Sequence, residues 1–275
     1  MATITIPEPL PSPVEDSEAL RKAVQGWGTD EKAIIRILGH RNAYQRSKIC
    51  ETYEQLYQES LLDRLFSELS GDFQNAVIQW TLDPAQRDAK MAKEALLLVL
   101  VEVACASSPD HLIAVRRAYC SLFKCSLEED VLRKLLVSLV SAFRFDGAEA
   151  DEEVARKEAS ALQEAIVVWI LSTRNKFQLK TAFDCYKKIH EISIEELATL
   201  LVTAIRCIHS PEKHFAQVIR TSIEGLGTDE DSLTRAIVTR AEVDMERIKE
   251  VYYKDELVIG DTSGDYKDML LTLIG

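Results

Sequence analysis

The chain has 275 residues, 47% of them hydrophobic, with ten glycines and seven prolines; it can bury a large core and is too poor in turn formers for a many-stranded fold. Its formal charge of −12 excludes unaided binding to nucleic acid or to an anionic bilayer, because both would repel it unless a divalent cation intervened. No apolar run reaches the ~18–20 residues of a membrane span, and the short, acidic, proline-rich start has no secretory pattern.

Residues 1–13 read as an extended tail, since Pro7, Pro9, Pro11 and Pro13 oppose both helix and sheet ladder. A helix is predicted from about 14 to 25, with Leu20, Ala23 and Val24 at helical spacing and Gly26 as its stop. Thr29 is the predicted N-cap of a second helix, with Asp30 and Glu31 in its positive first turn; that helix ends near His40-Arg41-Asn42. A third is predicted over about Ala43–Gln58, a fourth over Leu61–Leu69 up to the break at Ser70-Gly71, and a fifth over Phe73–Leu82 before Asp83-Pro84. Six cysteines at 50, 105, 120, 125, 185 and 207 have no CxxC spacing, which indicates no zinc site and suits a reducing cytoplasm.

This five-helix plan recurs. Aliphatic runs end at Arg41, Ser107, Arg174 and Arg240, and a tyrosine follows each by twelve residues, at Tyr53, Tyr119, Tyr186 and Tyr252. The period is 66, 67 and 66 residues, which is the mark of a repeat architecture. The expected organisation is a tail (1–13), repeat 1 (14–82), a shortened repeat 2 (83–148), a shortened repeat 3 (149–208) and repeat 4 (209–275). In units two and three, sequences such as Lys93-Glu-Ala-Leu and Glu164-Ala-Ile-Val-Val-Trp169 run on where unit one has loops.

Two units open with the same loop, Gly26-Trp27-Gly28-Thr29-Asp30-Glu31 and Gly225-Leu226-Gly227-Thr228-Asp229-Glu230. Glycines at positive φ let a turn aim several carbonyls one way, here those of Val24, Gly26 and Gly28. Calcium needs 6–8 oxygens, usually including a carboxylate. Glu68 supplies one in unit one, 42 residues after Gly26, and Asp261 holds the matching place in unit four, 36 residues after Gly225. Three carbonyls and one bidentate carboxylate leave about two positions open. Lipid phosphate could fill them, with the ion bridging acidic protein and acidic membrane.

The fourfold repeat, the paired GxGT loops and the downstream acid resemble an annexin. Gly26-Trp27-Gly28-Thr29-Asp30, Gly39-His40-Arg41-Asn42-Ala43 and Asp261-Thr-Ser-Gly-Asp-Tyr266 resemble the plant type in particular, and the resemblance covers nearly the whole chain after the tail. It implies an all-α fold of four repeats of about five short helices, arranged as a curved disc. It also implies reversible, calcium-dependent binding to anionic phospholipid by a cytoplasmic protein that is peripheral at membranes when calcium rises, with no enzymatic role required. The metal residues implied are Val24, Gly26, Gly28, Thr29, Glu31 and Glu68 in unit one, and Ile223, Gly225, Gly227, Thr228 and Asp261 in unit four. Trp27 and Leu226 would touch the membrane, and Cys105 and Cys207 match a redox-sensitive pair. Units two and three, without the loop, should lack such sites. The molecule is expected to be a monomer in solution; the resemblance also allows self-association on membranes and, through Ile35-Arg36-Ile37, F-actin as a partner. The rival readings are a peroxidase using His40, a GTP- or ATP-hydrolysing activity at Asp261–Gly264, and a calcium-independent helical scaffold. Neither a second catalytic group beside His40 nor a GxxxxGK loop supports the enzymatic ones.

Overall fold

The computed structural model describes residues 2–26, 28–94, 97–130, 153, 176–224, 227–251 and 262–275, and the regular structure among them is entirely helical. The first repeat has the five helices expected: α1 (Pro13–Ala23), α2 (Glu31–Leu38), α3 (Ala43–Tyr57), α4 (Leu61–Glu68) and α5 (Gly71–Thr81). Their starts follow local capping chemistry. Ser12 caps α1 in a reciprocal box with Glu15 and Asn42 caps α3 with Gln45, each pair satisfying two otherwise orphaned backbone N–H groups. Pro13 belongs to α1 and not to the tail, because a proline at the first helical position has no N–H to lose. Asp30 caps α2, accepting from the Ala33 N–H at 2.9 Å. This corrects the expectation for Thr29: the longer loop puts the charged side chain in the capping position.

After α6 (Pro84–Glu94), α7 (Leu97–Ala106), α8 (Pro109–Phe123) and α9 (Leu127–Asp130) come α10 (Lys176–His190), α11 (Ile194–His209), α12 (Pro211–Ile223), α13 (Glu230–Arg240), α14 (Met245–Val251) and α15 (Gly264–Ile274). The repeat is visible in α3, α8 and α10, each fifteen residues long. Each ends on a left-handed, non-glycine residue, Gln58, Lys124 and Glu191 in turn, with the spacing of the sequence period. Four residues before each helix end stands the repeat tyrosine, packed on the ring that closes the helix. The pairs are Tyr53–Tyr57 and Tyr119–Phe123, with ring centres 4.8 Å apart, and Tyr186–His190 at 4.4 Å. Such i,i+4 aromatic pairs favour the last helical turn. Tyr252 and Arg174 lie outside the described residues.

The chain divides into two compact units. The first combines residues 1–93 with 206–275, so the first and last repeats share one core. Within it α5 packs on α13 and α15, and α15 also meets α2. Trp80 is fully buried there with Ile34, Leu38, Leu65, Val77, Ile237 and Leu273, and its indole N–H donates to the Leu38 carbonyl at 2.8 Å. The Arg46 guanidinium lies 3.6 Å from the Trp80 ring centre, donates to the Arg41 carbonyl at 2.6 Å and pairs with Glu242 at 3.0 Å. Burial lowers the pKa of this arginine from its ordinary value, and Glu242 opposes the shift. The tail fastens both ends of the unit: Thr3 donates from its N–H to the Ala241 carbonyl at 3.1 Å and from its hydroxyl to that of Leu273 at 2.6 Å.

The second unit, 94–205, buries Leu100, Val101, Leu112, Val115, Tyr119, Leu127 and Leu200. The repeat arginines Arg41 and Arg240 are held by carboxylates. Arg41 does donate to a carbonyl, that of His40 at 3.0 Å, but its principal partner is Asp16, gripped at 2.7 and 2.8 Å. Arg240 grips Asp244 at 2.8 and 2.6 Å. A planar guanidinium buried at a helix end matches a carboxylate fork better than a single carbonyl.

Candidate functional site

The two GxGT loops are built alike. In the first repeat the Asp30 N–H closes on the Ala23 carbonyl at 2.9 Å, and in the fourth the Asp229 N–H closes on that of Ser222 at 2.7 Å. Both aspartates then cap the next helix, Asp229 by accepting from the Ser232 N–H at 3.1 Å, a bond that holds its carboxyl below the usual pKa. Gly26, Gly28 and Gly227 have φ of 113°, 93° and 99°. All three are exposed, with open space where a Cβ would stand. Glycine is needed at these positions for its backbone freedom and not to avoid a clash.

Glu68 is the last residue of α4, and an unexpected side chain joins it to the loop. Arg64, one turn earlier, places Nη2 3.0 Å from Glu68 Oε1 and donates from the same nitrogen to the Val24 carbonyl at 2.9 Å. Two of the predicted oxygens, forty-four residues apart in sequence, thus meet on one cationic group. Both side chains are about a third exposed, 30% for Arg64 and 28% for Glu68. Among the described residues no cluster of three or more His, Cys, Asp or Glu could hold a metal, so an ion here would depend on backbone oxygens. The donor set and the cation already lodged in it fit a hard divalent ion that takes carbonyls and one carboxylate.

The other predicted residues fall as follows. Val24 is buried at the end of α1, Thr29 is half-buried in the loop, and Glu31 is the half-buried first residue of α2. In the fourth repeat Ile223 is the buried end of α12 and Thr228 is half-buried. Trp27, Gly225, Leu226 and Asp261 lie outside the described residues. Cys105 and Cys207 are both buried. Ile35 is buried and Ile37 half-buried, which leaves Arg36 as the exposed member of the proposed actin triplet. His40 directs Nδ1 at the Thr5 carbonyl, 2.8 Å away; a carbonyl only accepts, so this nitrogen carries the proton and tethers the tail. Sequence reading missed Arg64, and its one available signal was the (i, i+4) spacing to Glu68.

Next to Gly264, a cleft of about 310 Å³ is lined by Ser70, Asp72, Phe73, Glu230, Thr262, Ser263, Asp265 and Tyr266. Burial pushes the Tyr266 phenol up to about 12, with the nearby acids adding to the shift. Three carboxylates here would repel the phosphates of a nucleotide. No helix among the described residues is long and apolar enough to cross a membrane.

The annexin family profile matches residues 15–80 and 214–273, the first and last repeats. Annexin D3 of Arabidopsis thaliana is 50% identical over 318 positions, covering 100% of this chain and 99% of the relative. The annexin-like protein RJ4 of Fragaria ananassa is also 50% identical, over 312 positions with the same coverage. Both alignments exceed the 275 residues of this chain, which is shorter than either relative. Among solved structures, annexin III superposes with a TM-score of 0.84 at 29% identity, over 100% of this chain and 97% of that one. Calcium-bound annexin (Sm)1 gives 0.79 at 29% identity, over 100% and 93%. With relatives this similar over its full length, the chain belongs to the annexin family and is of the plant type.

Proposed function

We propose that this protein binds anionic phospholipid membranes in a calcium-dependent manner, through an ion held between the first GxGT loop and Glu68. The observation that carries this reading is the meeting of the Val24 carbonyl and the Glu68 carboxylate on one cation, the Arg64 guanidinium. Val24, Gly26, Gly28 and Glu68 would hold the ion, with Thr29 and Glu31 beside them. Calcium bound there would supply an electropositive centre with open positions for lipid phosphate. The protein residues do the remaining work. Gly26 and Gly28, at positive φ, would let the loop carbonyls turn toward the ion, and Asp30 closes the loop on Ala23 so that the turn is preorganised. Trp27, between the two glycines in sequence, is suited to the headgroup region, where amphipathic aromatics are favoured.

Family membership supports the reading, as does the likeness to an annexin solved with calcium. The fourth-repeat loop, closed in the same way, supports a second site built on Ile223, Gly225, Gly227, Thr228 and Asp261. The net charge of −12 makes the cation a requirement for approach to an anionic surface. We read the protein as cytoplasmic, peripheral at membranes and without a catalytic role. Vesicle co-sedimentation tests this: vesicles containing phosphatidylserine should pellet the protein in calcium and release it in chelator, and phosphatidylcholine vesicles should not capture it. Capture that ignores chelator, or none at millimolar calcium, would contradict the reading.

A further inference from the structure

We propose that Arg64 is a built-in competitor at the first calcium site, a latch that occupies the ligand oxygens in the ion-free state and raises the calcium concentration at which the site fills. The inference rests on the calcium reading of this loop.

A single nitrogen, Nη2, lies 2.9 Å from the Val24 carbonyl oxygen and 3.0 Å from Glu68 Oε1. Calcium takes oxygens at ~2.3–2.6 Å. If Arg64 kept its grip, the guanidinium and the ion would share the same oxygens and stand no more than about 5 Å apart, where two cations repel strongly. Bidentate use of Glu68 also requires the oxygen that Arg64 now holds. Filling the site is therefore an exchange, in which Arg64 releases Val24 and Glu68 before their oxygens turn to the metal.

The latch is built to let go. Arg64 Nε is buried and has no hydrogen-bond partner, so the docked guanidinium leaves one donor unsatisfied, and that donor regains water when the side chain swings out. The pair with Glu68 is about a third exposed, so solvent weakens it. Arg64 thus supplies a moderate barrier and not a permanent block. The fourth repeat has Leu257 at the position matching Arg64, counted from the shared Ser-Gly-Asp segments at Ser70 and Ser263. Leucine cannot donate a hydrogen bond, so an arginine latch of this kind is proposed for the first site alone.

The test compares full-length wild type, Arg64→Met and Arg64→Lys by calcium titration of co-sedimentation with phosphatidylserine vesicles, and by thermal unfolding in chelator. Arg64→Met should lower the half-maximal calcium concentration by about 3- to 10-fold, the range set by losing one charge-assisted contact pair that is partly exposed. Arg64→Lys should fall between. In chelator, Arg64→Met should melt no higher than wild type, because the latch supports the ion-free form. Removing a positive charge disfavours an anionic membrane in general, so a lowered calcium requirement would have to come from the site itself. Wild type that binds in calcium alongside an Arg64→Met with equal or greater calcium demand overturns the latch and leaves the calcium reading intact. If neither protein binds in calcium, the calcium reading of the loop falls and the latch with it.

Discussion

The Asp30 N–H donates to the Ala23 carbonyl at 2.9 Å, which cinches the first GxGT loop at its neck. Asp229 and Ser222 make the same bond in the fourth repeat. Between neck and tip, the chain direction is set by glycines at φ of 113° and 93°. Gly28→Ala should therefore destabilise the fold by only about 1–2 kcal/mol, the cost of a positive φ for an L-residue, since the added methyl meets nothing. Its larger effect should be on calcium demand, because the Gly28 carbonyl would be re-aimed. A calcium titration beside a melting curve separates the two; a loss of stability with no change in calcium demand would mean that this carbonyl is not a ligand.

Buried Asp16 and Arg41 form a pair whose side chains are 6% and 3% exposed. Removing one partner strands a charge in the core, which costs about 3–5 kcal/mol. Asp16→Ala should accordingly lower the urea midpoint far more than Glu51→Ala, whose partner Lys48 is exposed. The double change Asp16→Leu with Arg41→Met should recover part of the loss, because it leaves no unpaired charge behind.

Thiol chemistry should sort by burial. Cys120 and Cys185 are exposed, whereas Cys105 and Cys207 are buried, and burial pushes the Cys50 thiol up to about 11. At pH 8 about one Cys50 in a thousand is then thiolate, the reactive form. Iodoacetamide labelling followed by peptide mass spectrometry should modify Cys120 and Cys185 first and Cys50 late. Early modification of Cys105 and Cys207 would instead support the redox role implied by resemblance.

Asp229 gives a pH-dependent cap. The Ser232 N–H holds its carboxyl below the ordinary range, so the cap stabilises above the unfolded pKa of about 3.9 and is lost as pH falls through the lower folded value. Asp229→Ala should cost ~1 kcal/mol near neutrality. The gap between variant and wild-type melting curves should close below about pH 4; a gap of constant size would mean that the carboxylate is not the capping group.

Much of this was legible because it is local. The helices of the first repeat follow from 3.6-residue patterning and cap residues, and the fourfold order from a fixed period. Ser12-Pro13 with Glu15 already spelled a helix start, though the run of prolines disguised it as tail. The GxGT glycines and Glu68 could be named from spacing alone. Arg64 could not, because its bond to Val24 depends on how α4 folds back on the end of α1, which no local pattern encodes. The Asp16 partner of Arg41 was obscured for a related reason, since the two lie 25 residues apart and meet only once the helices pack, whereas Asp244 stands four residues after Arg240 and was open to local reading.

The most direct measurement is co-sedimentation with phosphatidylserine vesicles for wild type and Glu68→Gln, each in calcium and in chelator. Wild type should pellet only in calcium, and Glu68→Gln should need at least about ten times more calcium, the effect of losing one charged ligand worth ~1.4 kcal/mol or more. Equal calcium demand in the two proteins would remove Glu68 from the site, and with it the ion bridge between the first loop and the membrane.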